Sequence, residues 1–162
     1  MTLAIAHIED NITVLDLVRE VVPPFAPSEV VEDFAGVLRQ YGIRTITGDR
    51  YGAEWVVEQF NRNGIAYEPA ELNKSEIYSE LLPLLNSRTA ALLTNDRLER
   101  QLLGLERRTS RAGRDQIDHP RGARDDLANA VAGALVMAQK APSIAVVKRG
   151  PINYPKSWGQ IA

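Results

Sequence analysis

The chain has 162 residues, 44% hydrophobic and 25% charged, which suits one globular domain, with or without a tail, large enough to bury a core. It holds no cysteine, which excludes disulfides and thiolate metal sites. No basic-then-apolar leader opens it and no apolar run approaches a membrane span, so a soluble, cytoplasmic protein without membrane partners is expected. The net charge of −2 is unevenly spread. Residues 1–60 carry ten acids and four bases, whereas residues 97–124 carry eight arginines and four acids.

Two aliphatic, β-branched stretches, Met1 to Glu9 and Ile12 to Val22, flank Asp10-Asn11 and read as a hairpin. Ser28 is expected to cap a helix with apolar residues at Val30, Phe34, Val37 or Leu38 and Tyr41, stopped by Gly42. A strand over Ile43–Thr47, a helix through Trp55, Val56 and Phe60 ended by Gly64, and a strand at Ile65–Tyr67 follow. Strand, helix and strand with short links imply a parallel, right-handed crossover in an α/β sheet. Asn73 and Glu76 form a capping-box pattern before a helix with Ile77, Leu81 and Leu84 or Leu85 on one face, which Pro83 should kink or restart.

Ala90 to Leu93 is a candidate strand, and Leu98, Leu102 and Leu105 mark the face of a short helix. Arg107, Arg108, Arg111 and Arg114 lie in a stretch with no interleaved acid, at the tip of a second candidate hairpin. Guanidinium forks suit phosphate oxygens, so contact with double-stranded DNA is one reading and a solvated surface the other. The last helix runs to about Lys140, and its Ala128, Ala132 and Gly133 let it lie close to a sheet. Residues 1–140 are therefore expected to form the domain, and residues 141–162, with three prolines, an extended or loosely attached tail.

Three acids stand at element ends. Asp49 follows the strand Ile43–Thr47, and Asp125 and Asp126 open the last helix. An aspartate at a helix start ordinarily caps it and complements its dipole. Together with a strand-end carboxylate, the pair also suits a divalent-cation site, since two metals about 3.5–4 Å apart need shared oxygen ligands on short stems.

The segments Ile46-Thr47-Gly48-Asp49-Arg50-Tyr51-Gly52, Leu102-Leu103-Gly104-Leu105-Glu106-Arg107-Arg108, Asp118-His119-Pro120 and Arg124-Asp125-Asp126-Leu127-Ala128-Asn129-Ala130 resemble the ribonuclease-H-like nuclease domain of tailed-phage terminase large subunits. The resemblance spans roughly residues 2–140. It implies an α/β fold with a mixed sheet flanked by helices. It also implies an endonuclease that cuts concatemeric DNA during genome packaging, using Mg2+ or Mn2+ in a two-metal site. Asp49 would be the strand-end ligand, and Asp126, with Asp125 beside it, the helix ligand. The implied setting is a phage or prophage protein in the bacterial cytoplasm, working with a small subunit, a portal and an ATPase domain.

Two departures accompany the match. The family's central first strand, with its first metal-binding aspartate, has no counterpart, because Met1–His7 resembles the strand after it. There is also no phosphate-binding loop, since Lys74-Ser75 follows Asn73 rather than glycine. Little or no metal-dependent cutting by this chain alone, with some self-association, is the resulting expectation. A catalytically inactive remnant, or another ribonuclease-H-like nuclease such as a junction resolvase, are the alternatives. His7 and His119 read as structural histidines.

Overall fold

The computed structural model describes residues 1–49, 54–109 and 115–140. Its first elements are β1 (Thr2–Glu9) and β2 (Ile12–Glu20), an antiparallel hairpin closed by Asp10 (φ 48°) and Asn11 (φ 63°). Both turn residues are left-handed, the geometry that matches strand twist and that Asp and Asn tolerate best. The register slips between Ile5↔Leu17 and Ala6↔Leu15, leaving Asp16 as the extra residue of a bulge. The slip sends Leu15 and Leu17 to opposite sides of the hairpin, each to a different core.

Helix α1 (Pro27–Gln40) begins one residue before the expected cap. Ala26 holds the N-cap position without a side-chain bond, and Pro27 opens the first turn, where its missing N–H costs nothing. Ser28 is thus inside the helix rather than its cap. Gly42 (φ 72°) ends α1 as expected: its N–H reaches the Arg39 carbonyl and that of Ile43 the Leu38 carbonyl. The same paired bonds close α2 (Glu54–Arg62) at Gly64. Between the two helices, β3 (Thr45–Gly48) pairs parallel with β4 (Ala66–Pro69), the expected crossover.

Helix α3 (Lys74–Asn86) starts from a complete capping box and continues through Pro83. Strand β5 (Ala90–Ala91) keeps two residues, parallel to β2, and α4 (Asp96–Leu103) follows. Strands β6 (Glu106–Thr109) and β7 (Asp115–Asp118) form the second hairpin, and α5 (Asp126–Lys140) is the last described element. Residues 141–162 lie outside the described residues.

The strands form a β1–β2–β5 sheet, a β3–β4 pair and a β6–β7 pair. Leu3 and Ile5 of β1 pack with Val31, Phe34 and Leu38 of α1 and with Phe60 and Ile65, and Ile46 of β3 and Tyr67 of β4 lie against the same core. Among the described residues no ladder joins β1 to β3, although their side chains share that core.

The second core lies between Leu15, α3, α4 and α5, with Ala4 and Ala6 of β1 packed on it. Ala128 and Ala132 are fully buried there, which is how α5 comes close to β1. Gly133 takes no part in that approach, since a Cβ there would meet nothing within 4 Å.

Candidate metal centre

Three elements meet at one end of the second core. The first turns of α3 bring Lys74 and Tyr78, the end of β7 brings Asp118 and His119, and the start of α5 brings Asp125. The capping box of Asn73 and Glu76 (3.1 and 2.7 Å) fixes where α3 begins. Ser75 splices α3 to β7: its Oγ accepts from Ile117 N–H at 3.0 Å and donates to the Ile117 carbonyl at 3.2 Å.

Lys74 Nζ donates to Asp118 Oδ1 at 2.5 Å and lies 2.8 Å from Asp125 Oδ2, and Tyr78 donates its hydroxyl proton to the same Oδ2 at 2.8 Å. One ligand atom each from Asp118, His119 and Asp125 lies within 4.8 Å of the others. Among the described residues this is the one such group of three. The Asp125 side chain is 7% exposed, against about a third for Asp118, His119 and Lys74.

Asp125 faces this cluster because it has been relieved of capping. An aspartate at its position would ordinarily accept from the free N–H groups of the first turn. Here Leu127 and Ala128 donate those N–H groups to Gln101 Oε1 of α4, at 3.0 and 2.9 Å. The Asp125 main-chain carbonyl still accepts the first helical bond, from Asn129 at 2.8 Å. Its carboxylate is left to Lys74 and Tyr78.

His119 Nδ1 lies 2.9 Å from the Pro120 carbonyl, which can only accept, so Nδ1 carries a proton. In the neutral ring the lone pair then sits on Nε2, the atom 3.7 Å from Asp118 Oδ1 and 3.8 Å from Asp125 Oδ1. That is the tautomer a metal ligand needs.

The local electrostatics follow from the packing. Burial alone would pull the Lys74 ammonium down, but hydrogen bonds to Asp118 and Asp125 outweigh it and hold the group above its ordinary 10.5. The Lys74 hydrogen bond keeps Asp118 below the usual carboxylate range. Burial, then the bond to Asp125, pushes Tyr78 far above its usual 10.0, so it remains a donor. Two carboxylate groups and one imidazole are a partial coordination set for a hard divalent ion, with Lys74 neutralising one of the two charges.

The other anticipated residues lie outside this group. Asp49 is exposed at the end of β3, and its carbonyl accepts from the Tyr67 hydroxyl at 3.1 Å. Burial, then the charge of Asp49, raises the Tyr67 hydroxyl. Asp126 is exposed in the first turn of α5. Arg107 and Arg108 are exposed on β6, and Arg108 is held by Glu106 at 2.5 Å. Arg111 and Arg114 fall outside the described residues. The sequence pattern alone does not mark Lys74, Tyr78 or Asp118 as site residues, and it reads His119 as structural. The signal that could find Lys74 is its place after the Asn73 cap, and that for Asp118 and His119 is the Asp118-His119-Pro120 motif.

Comparison with solved structures adds the family likeness. The large terminase nuclease of thermophilic phage G20c superposes with a TM-score of 0.66 at 15% identity, over 83% of this chain and 80% of that one. That nuclease has also been solved with bound cobalt and with bound magnesium. The Thermus phage P74-26 large terminase nuclease domain gives 0.59 at 16% identity, over 83% and 77%. The fold is that of phage large-terminase nuclease domains. The HK97 bacteriophage large terminase gives 0.64 at 14% identity, over 85% of this chain and 36% of that longer one. No protein-family model and no curated protein matches the sequence. Among the described residues no helix is long and apolar enough to cross a membrane.

Proposed function

We propose that this chain is the nuclease unit of a phage DNA-packaging terminase, cutting double-stranded DNA with divalent metal in the cytoplasm of a bacterial host. An ATPase domain, a small subunit and a portal are its partners in that setting. The likeness of fold carries the reading, and the cluster at the start of α5 supplies fitting donors. Asp118, Asp125 and His119 Nε2 would hold a Mg2+ or Mn2+ ion, with Asp49 and Asp126 as further carboxylates of the proposed site. A metal so held lowers the pKa of a bound water and offsets charge on a phosphate. Lys74 keeps the two carboxylates together, Tyr78 orients Asp125, and Gln101 frees Asp125 from capping.

The test is conversion of supercoiled plasmid to nicked circles with Mn2+ or Mg2+, alongside direct Mn2+ titration. Metal binding that Asp125→Asn abolishes is expected, and nicking by this chain alone should be weak and lost in both Asp125→Asn and Asp49→Asn. One observation favours a second reading, a catalytically silent domain: Lys74 already satisfies both carboxylates. A folded wild-type chain that neither binds Mn2+ nor nicks DNA would select it.

A further inference from the structure

Beside the acidic cluster lies a cleft of about 390 Å³ whose walls carry no acid. Arg97, Arg100 and Gln101 of α4 line one side, and His119, Gly122 and Arg124 of the β7–α5 connection the other. Arg97 is partly occupied, at 3.1 Å from Glu20. Arg100 and Arg124 are exposed, and neither guanidinium has an ion-pair or hydrogen-bond partner among the described residues. Gln101 spends its oxygen on the start of α5, so its amide N–H groups are left to donate. The connection holds its shape through Gly122 (φ 81°) and a bond from Ala123 N–H to the Pro120 carbonyl at 3.1 Å. His119 belongs to both places, lining the cleft while its Nε2 stands 3.8 Å from Asp125 Oδ1.

Unpaired guanidinium forks in an acid-free cleft recognise a phosphate group. On the strength of the nuclease reading above, we propose that this cleft seats a backbone phosphate of double-stranded DNA. Arg100 and Arg124 clamp it, Gln101 adds a neutral donor, and His119 brings it beside the acidic cluster. These residues are distinct from the arginines of the β6–β7 hairpin.

The experiment is fluorescence anisotropy of a labelled short duplex with the full chain, in EDTA, over a range of salt. It compares wild type, Arg100→Ala/Arg124→Ala and Arg121→Ala, an exposed neighbour that does not line the cleft. Each phosphate contact contributes about 0.9 to the slope of log affinity against log salt. The double variant should bind at least about tenfold more weakly and lose about two units of slope, while Arg121→Ala stays near wild type. Thermal melting of each variant checks that the fold is kept. Unchanged affinity and slope in a folded double variant, or no duplex binding by wild type, overturns the proposal. So does an equal loss in Arg121→Ala. Inorganic phosphate is the second probe: wild type that binds it while holding duplex no better than the double variant assigns the cleft to free phosphate and also overturns it. Plasmid nicking is scored separately. Nicking with an unaffected double variant removes this cleft but keeps the nuclease, and cleft-dependent binding without nicking does the reverse.

Discussion

Lys74 places its ammonium 2.8 Å from the Asp125 carboxylate, across 51 positions of sequence. The acidic cluster therefore already holds a cation supplied by the chain. A divalent ion must share that space or displace Lys74 from it.

Replacing Lys74 with Met leaves Asp118 and Asp125 to repel one another. Lys74 is a third exposed, so the loss should fall below that for a fully buried pair, about 1–2 kcal/mol. Mn2+ should then raise the melting temperature of Lys74→Met more than that of wild type, since the ion takes over the charge. A melting temperature indifferent to Mn2+ in both proteins would dispose of the metal site.

The same contacts set a pH profile. Asp118 is held below its ordinary 3.8 in the folded state, so its contribution is full above that value. It is lost as pH falls through the folded pKa, where the unfolded chain binds more protons. Lys74 and Tyr78 are raised above 10.5 and 10.0, so their contributions are full below those values and lost as pH rises past them. Urea midpoints measured from acid to alkaline pH should fall off at both ends. Lys74→Met should flatten the acid limb, because Lys74 is the main cause of the Asp118 shift. An acid limb of unchanged steepness in that variant would mean that other carboxylates set it.

Local chemistry and the pairing of successive strands were legible in the sequence, whereas the side-chain contacts that build the site were not. Asp10-Asn11, Gly42, Gly64 and the Asn73–Glu76 box each act within a few residues, and each does what its type implies. Ser28 was misassigned because Pro27, one place earlier, starts the helix on its own. The choice between Asp125 and Asp126 was not visible locally. It depends on Gln101, which comes from α4 to take the cap. Lys74 likewise gains its meaning only when β7 and α5 arrive beside it.

Gln101 offers a way to test that division of labour. Gln101→Ala should uncap α5 and cost about 1 kcal/mol, with earlier amide exchange at Leu127 and Ala128. Gln101→Glu keeps an acceptor and adds negative charge at the helix start, worth about 0.3–1 kcal/mol, so stability should match or exceed wild type. Its duplex affinity should nevertheless fall, because an anion now lines the arginine cleft. If Ala and Glu melt alike, Gln101 is not the cap.

Two glycines should respond to alanine in opposite directions. At Gly48 a Cβ would lie 2.1 Å from the Tyr67 hydroxyl oxygen and 2.3 Å from the ring carbon that bears it. The Tyr67 ring would have to swing away, losing its bond to the Asp49 carbonyl and its tilted contact with Phe60 at 6.0 Å. Overpacking of this kind costs about 1–3 kcal/mol. At Gly133, inside α5, a Cβ meets nothing within 4 Å, so alanine should stabilise by about 0.5–1 kcal/mol through helix propensity alone. Urea denaturation of both variants gives the signs. The cause is isolated by repeating Gly48→Ala in a Tyr67→Ala background. If the ring is the obstacle, the two substitutions are far from additive and most of the Gly48→Ala penalty disappears. A penalty that survives the loss of the ring would place the constraint in the backbone of β3 instead.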